Sequence, residues 1–317
     1  MSDFLTDLIP TNFQTEKLKF FEDFSYNPQL KYIRKFSKLE LNRWGKPSEE
    51  LTLHYKEMLS KYKPITESKD YVNEAYILKK IELFNKNYDL KQPIEASFSK
   101  QQVTRCRVNG NHIYFQLPIR YTASKLGDLL RHELETHVLR FLNNQQQDWG
   151  TKKIDGVSFR KTEEGLAGLH THLLRDDKVI RKSYLTYLAV STAQKSSFAE
   201  VFQIMREQNV SPETAWNIAL RTKRGIEDTS LPGGLTKDIS YLEGSVMVWK
   251  WLMNPKHMVK DLYVGRIGLI DLPKLLPLAK REHLLYPTFI ENTDEYISYM
   301  EEIGKVNHFN QLTFSYD

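Results

Sequence analysis

The segment Arg131-His132-Glu133-Leu134-Glu135-Thr136-His137, RHELETH, holds two histidines with a glutamate directly after the first. Imidazoles joined by a carboxylate are donors suited to a catalytic zinc ion, and a glutamate beside the metal can act as general base in hydrolysis. The familiar spacing for this chemistry is HExxH, with the histidines four apart on one helical face. Here they are five apart. A regular helix turns about 100° per residue, so a step of five separates two side chains by roughly 140°. A single widened, π-type turn between them would return both imidazoles to one side, and such turns concentrate at functional sites. The plain alternative is a polar helix face, with His137 a satisfied core histidine in an apolar stripe and His132 in solvent.

A catalytic zinc takes three protein ligands and keeps a fourth position open for water. A third ligand is available in Glu163-Glu164-Gly165-Leu166-Ala167, and four of the nine histidines lie between 132 and 172. Spacing alone leaves open which of the two adjacent carboxylates would face the metal. His170 and His172 follow on the same helical segment. His172 lies eight positions past Glu164, about 80° around the axis, where it could stand behind a ligand, although a core or solvated role is simpler.

The elements that must position these groups are legible in outline. Cys106 and Val108, with Thr104 before them, alternate with Arg105 and Arg107, and Ile113, Phe115 and Leu117 alternate with His112, Tyr114 and Gln116. Asn109-Gly110 between the two runs is a hairpin signal, and Pro118 ends the second strand. The motif helix follows, with Thr122 or Ser124 as its cap and Leu126, Leu130, Leu134, Val138 and Phe141 as its apolar stripe. Upstream, Ser48 caps a helix whose face is Leu51, Tyr55, Met58, Leu59 and Tyr62, limited by Pro64. A second helical pattern runs through Val72, Ala75, Tyr76, Leu78, Ile81, Leu83 and Phe84. Most segments after about residue 180 again have helical period. The expected fold class is α+β, predominantly helical, with a small sheet or hairpin leading into the histidine helix. The change of pattern near 95–100 suggests an N-terminal helical region, 1–100, and a catalytic region, 101–317, or one continuous domain.

HELETH followed by TEEGLA resembles the QEGLA-motif family, DUF1704, which includes the microtubule-associated tyrosine carboxypeptidases. RVNGNHIYF, HVLRFLNN, RTKRG at 221–225 and LTKDISYLEG at 235–244 are similar to blocks of the same family, so the resemblance covers at least residues 100–245. It implies a zincin-like zinc metallopeptidase fold, with His132, His137 and Glu164 as zinc ligands and Glu133 as general base. The family's usual QEGLA is EEGLA here, with Glu163 in place of glutamine, and the alignment favours Glu164 as the ligand. Dipeptidyl peptidase III shares the five-residue histidine step, so that step is compatible with zinc. The resemblance also implies removal of a C-terminal residue, tyrosine in those enzymes, which makes a protein or peptide C-terminus such as a tubulin-like tail the expected partner.

A carboxypeptidase needs a cation for the terminal carboxylate, and arginine's fork suits it. Arg221, Arg224 and Lys237 in the family-like blocks are the candidates, against the simpler role of surface or structural ion pairs. Tyr241 could donate a hydrogen bond to the reacting oxygen, against a packing role. Two rival readings stay open: endopeptidase or aminopeptidase action at the same site, and a zinc-stabilised binding protein without catalysis. Glu133 argues against the last, since a structural site does not need it.

The bulk composition is consistent with this reading. The 317 residues, 40% apolar and 27% charged, can bury one large core or two modest ones. Forty-five basic and forty acidic residues interleave to a mild net charge of +5, with no basic-aromatic cluster that would point to nucleic acid. The N-terminus lacks the order of a secretory signal, and no apolar run approaches the roughly 20 residues of a membrane span. A single cysteine, Cys106, excludes an intramolecular disulfide and suits a reducing compartment. The expectation is a cytoplasmic protein with neither nucleic-acid nor membrane partners.

Overall fold

The computed structural model describes residues 4–61, 69–100, 105–150 and 157–314. In chain order its principal elements are α1 (Phe13–Glu22), α2 (Glu49–Lys61), α3 (Glu74–Asn87), β1 (Glu95–Ser99), β2 (Cys106–Asn109), β3 (His112–Gln116), and α4 (Ala123–His132). A π-helical segment (Glu133–Val138) leads into α5 (Leu139–Gln145) and α6 (Val157–His172). Then come α7 (Arg181–Ala193), α8 (Phe198–Glu207), α9 (Pro212–Lys223), α10 (Ile239–Leu252) and α11 (Thr293–Val306). The fold is α+β and mostly helical. Two compact units divide the chain: Met1–Pro64, Ile180–Gly244 and Gln311–Ser315 form the first, and Ile65–Val179, Ser245–Asn310 and Tyr316–Asp317 the second. The pattern change near residue 100 falls inside the second unit.

In the first unit the helices close around aromatic residues. Phe20 of α1 meets Phe198 and Phe202 of α8 and Trp216 of α9 at ring-centroid distances of 5.0, 4.8 and 5.1 Å. Such contacts add roughly 0.5–1.5 kcal/mol each to the area they bury. Leu51, Tyr55 and Leu59 form the buried face of α2, and Tyr55 stacks on Tyr184 of α7. Tyr62 and Pro64 lie outside the described residues.

The second unit carries the sheet, in the order β1-β3-β2. β2 and β3 are the expected antiparallel hairpin, with Val108 opposite Ile113 and Cys106 opposite Phe115. Gly110 opens the two-residue turn at φ 60°, in the left-handed region where a residue without Cβ is unstrained. Thr104 lies outside the described residues. Ile113 and Phe115 are fully buried while their neighbours in β3 are half-exposed, as the alternation requires. β1 was not expected as a strand. It pairs parallel with β3, Ala96 opposite Ile113, and makes β3 the central strand.

The second helical pattern of the sequence is α3, and its packing face is narrower than that pattern. Ile77, Ile81 and Phe84 are the buried residues, a clean i, i+4, i+7 stripe. Tyr76, Leu78 and Leu83 are exposed, and Val72 precedes the helix. With apolar residues on most sides, the count of hydrophobic positions could not select the face. Thr122 caps α4, its side chain accepting from the Lys125 N–H. Leu126, Leu134 and Val138 of the expected stripe are buried, and Leu130 and Phe141 are half-buried.

Candidate metal centre

At Glu133 the motif helix widens. Residues Glu133–Val138 form a π-turn, and just beyond it the Leu139 N–H donates to the Leu134 carbonyl five residues back. The angular misfit of a five-residue step is thereby removed. The His132 and His137 rings lie 4.9 Å apart between centroids and nearly perpendicular, at 82°. β2 packs against this turn, and α6 packs against both α4 and the turn.

From α6, Glu164 presents Oε2 to both rings, 4.0 Å from His132 Nε2 and 3.9 Å from His137 Nε2. One ligand atom from each of the three residues lies within 4.8 Å of the others, and among the described residues this is the one such group. A tetrahedral zinc with bonds of about 2.0–2.1 Å spaces its ligand atoms roughly 3.4 Å apart, so the two Glu164–histidine separations need about half an ångström of contraction, and the widest separation the group allows, 4.8 Å, roughly 1.4 Å. The residues fit the metal.

The tautomers fit as well. The Thr171 hydroxyl donates to the Ala167 carbonyl at 2.9 Å, so its oxygen accepts from His132 Nδ1–H at 3.0 Å. His137 Nδ1–H donates to Glu163 Oε1 at 2.9 Å. With both Nδ1 atoms engaged, each ring turns its Nε2 toward Glu164, the usual arrangement behind a ligating histidine. The two adjacent carboxylates thus have distinct places. Glu164 joins the donor set and has its second oxygen 3.6 Å from Arg160 Nη1. Glu163 stands behind His137.

Glu163 is buried and pairs with Arg140, which is itself fully buried, while Arg266 Nε lies 3.5 Å away. Arg140 is anchored through its Nε and Nη2 to the carbonyls of Leu262 and Ile267 at 2.7 and 2.9 Å. Burial disfavours the Glu163 carboxylate, but the Arg140 charge, the His137 hydrogen bond and Arg266 outweigh it and hold its pKa at about 2. For His137 burial works against the charged ring. The Glu163 hydrogen bond and the charges of Glu163, Glu164 and Glu133 prevail, and its pKa is raised. Glu133, the expected general base, is half-buried at the first position of the π-turn, where its charge is felt by His137 and by Cys106 of β2. The Cys106 thiol is pushed up by burial first and by Glu133 second, the behaviour of a packed rather than a reactive cysteine.

His170 lies outside the donor set. It is fully buried and bonds to Thr136 and Tyr296, and burial, then Arg131, drives its pKa well below the usual range. His172 is buried too. Arg221, Arg224, Lys237 and Tyr241 all belong to the first unit, where they form a cluster around Asp238. Arg221 Nη2 donates to Asp238 at 2.8 Å and to the Tyr241 hydroxyl at 3.3 Å, Lys237 Nζ lies 4.0 Å from Asp238 and 5.2 Å from the Tyr241 ring centre, and Arg224 Nε donates to the Arg221 carbonyl.

Sequence reasoning missed Arg140, Thr171 and Arg266. Arg140 had a signal: a charge in the middle of HVLRFL, among apolar positions, needs a buried partner of opposite sign. Thr171 and Arg266 carried none that spacing could reveal.

Residues 34–311 match the family described as microtubule-associated tyrosine carboxypeptidase. A mouse (Mus musculus) protein named "Putative tyrosine carboxypeptidase MATCAP2" is 30% identical over 96% of this chain and 62% of its own length. Its human (Homo sapiens) namesake is 30% identical over 96% of the chain and 52% of its own length. A rat (Rattus norvegicus) protein named "Microtubule-associated tyrosine carboxypeptidase 1" is 27% identical over 97% of the chain and 69% of its own length. The chain therefore spans between about half and two thirds of these relatives.

Proposed function

Because the chain belongs to the microtubule-associated tyrosine carboxypeptidase family, we propose that it is a zinc-dependent carboxypeptidase that removes a C-terminal residue, tyrosine foremost, from a protein or peptide. The observation that carries the metal is the meeting of His132 Nε2, His137 Nε2 and Glu164 Oε2, with both opposite ring nitrogens already engaged. Bound there, zinc would supply Lewis-acid activation of water and of the scissile carbonyl. Glu133 takes the proton of the attacking water and returns it to the leaving amine, a shuttle its position directly after His132 suits. Glu163 and Thr171 hold the two imidazoles in the tautomer that ligation requires. For the substrate's terminal carboxylate, Arg221, Arg224 and Lys237 are the proposed cations, and Tyr241 the proposed hydrogen-bond donor to the reacting oxygen. A tubulin-like tail is the substrate class proposed first. A cytoplasmic location is proposed because a chain with the single cysteine Cys106 suits a reducing compartment. No helix among the described residues is long and apolar enough to cross a membrane.

The test is a peptide library with varied C-terminal residues, each sequence with a free or an amidated end, digested by the zinc-loaded protein and read by mass spectrometry. Loss of one residue from free ends, fastest for tyrosine, is expected. Amidation should lower cleavage by roughly ten- to a hundredfold, the worth of one charge-assisted pair of about 1.5–3 kcal/mol. Glu133→Gln should abolish cleavage with zinc retained. Equal cleavage of free and amidated peptides would overturn the carboxypeptidase reading, and internal cleavage would replace it with an endopeptidase.

A further inference from the structure

The π-turn that brings the two histidines together is braced by side chains from outside it. Where a helix hydroxyl bonds back to its own backbone it ordinarily reaches the carbonyl three or four residues earlier. Thr52, Thr162 and Thr171 of this chain all do so, each to the carbonyl four residues back. Thr136 departs from the pattern. Its hydroxyl donates at 2.8 Å to the carbonyl of Arg131, five residues back, across the wider turn.

The remaining bonds follow from that one. The Arg131 carbonyl can only accept, so the Thr136 O–H is spent on it and Thr136 Oγ1 accepts from His170 Nδ1–H at 2.8 Å. His170 Nε2 is then an acceptor, and the Tyr296 hydroxyl donates to it at 3.0 Å. Thr136, His170 and Tyr296 are all completely buried, so no solvent can replace a missing member. His170 is kept neutral by its burial, which permits the one-donor, one-acceptor tautomer that the chain of bonds requires. A second brace meets the turn at Glu135, whose carbonyl accepts from the Tyr263 hydroxyl at 2.9 Å.

We propose that Thr136 is a positioning residue for the metal centre, tied through His170 to Tyr296 so that the turn stays at the width that lets His132 and His137 share one ion. The assignment rests on the zinc reading above. A π-turn is less favourable than a continuous α-helix, and the hydroxyl-to-carbonyl bond five residues back is available only in the wide form. Its loss favours the regular ladder, in which the two imidazoles diverge. Thr136, His170 and Tyr296 are completely buried, so the effect appears in metal affinity before it appears in the chemical step.

The test compares zinc affinity, by competition with a chromophoric chelator, and urea stability for the wild-type protein, Thr136→Val, Thr136→Ser and Tyr296→Phe. Groups that orient ligands are typically worth ten- to a hundredfold in metal affinity. Thr136→Val should weaken zinc by about that factor, and Thr136→Ser, which keeps the hydroxyl, should stay within roughly threefold of wild type. Tyr296→Phe loses a single oxygen remote from the turn and should weaken zinc by at least about threefold while remaining folded, so it decides the matter if Thr136→Val does not fold. The visible absorption of the cobalt-loaded protein should change in Thr136→Val and return in Thr136→Ser. Variants that lose stability but bind zinc as wild type does would overturn the proposal by reducing the network to ordinary core packing. A wild-type protein that takes up no zinc would instead overturn the metal reading, and the positioning role with it.

Discussion

At the scale of single residues, the adjacent carboxylates Glu163 and Glu164 differ in function because consecutive helix positions point about 100° apart. Glu164 is the proposed ligand, whereas Glu163 is the counter-charge of a buried arginine and the acceptor for His137. Removing one partner of a buried pair leaves the other uncompensated, at a cost of roughly 3–5 kcal/mol. Glu163→Ala is therefore expected to lose about that much stability by urea titration and to bind zinc about ten- to a hundredfold more weakly. Glu163→Gln keeps an acceptor for His137 and should fall between alanine and wild type on both measures. Equal losses for the two variants would show that hydrogen-bond geometry at this position does not matter. His170 supports a separate, pH-dependent prediction. Its folded pKa lies below the usual 6.5, chiefly through burial, so below pH 6.5 the unfolded chain binds a proton that the folded one refuses. Stability should therefore fall on acidification, with a contribution from this residue of up to about 1.4 kcal/mol per pH unit. In chelator, the stability gap between wild type and His170→Gln should narrow between pH 7 and 5. A constant gap would mean that His170 accepts its proton in the folded state.

At the scale of elements, what the sequence made legible was what a period can encode. The antiparallel hairpin follows from alternation around Asn109-Gly110, and the widened turn follows from two histidines five apart that need a common side. β1 was not legible: Glu95-Ala96-Ser97-Phe98-Ser99 has no β-branched residue, and its strand character comes from parallel pairing with β3, a tertiary cause. The packing face of α3 was not legible for a related reason, since apolar residues surround that helix and only its neighbours decide which are covered. Nor could the motif's carboxylates be assigned from spacing, because the assignment depends on Arg140 and on α6 packing against the turn. The cap of α4 gives an element-scale prediction. Thr122 accepts the Lys125 N–H at the start of the helix that delivers His132. Thr122→Ala should cost about 1 kcal/mol in urea titration, and zinc content at saturation should be unchanged, because the turn itself keeps its braces. A loss of metal from this variant would show that the helix start, rather than the turn, sets the ligand geometry.

At the scale of the whole molecule, all three proposed ligands, both groups behind them and the braces of the π-turn belong to the second unit. The cation cluster of Arg221, Arg224 and Lys237 belongs to the first. A ligand that binds only the folded form stabilises it by mass action, by roughly 4 kcal/mol when free metal exceeds its dissociation constant a thousandfold. That energy is felt by whatever must open to release the ion. Here those elements are α4, the π-turn and α6, which carry the three donor residues. Hydrogen exchange read by mass spectrometry should therefore show a large slowing on zinc addition for peptides covering 123–145 and 157–172. Peptides from α8 and α9, in the first unit, should change much less, because local openings there leave the donor set intact. Reversal by chelator would confirm that the slowing belongs to the ion. Equal slowing in α8 and α9 would mean that the two units open as one cooperative body, and that a substitution in the aromatic core around Phe20 and Trp216 would reach the metal centre through global stability alone.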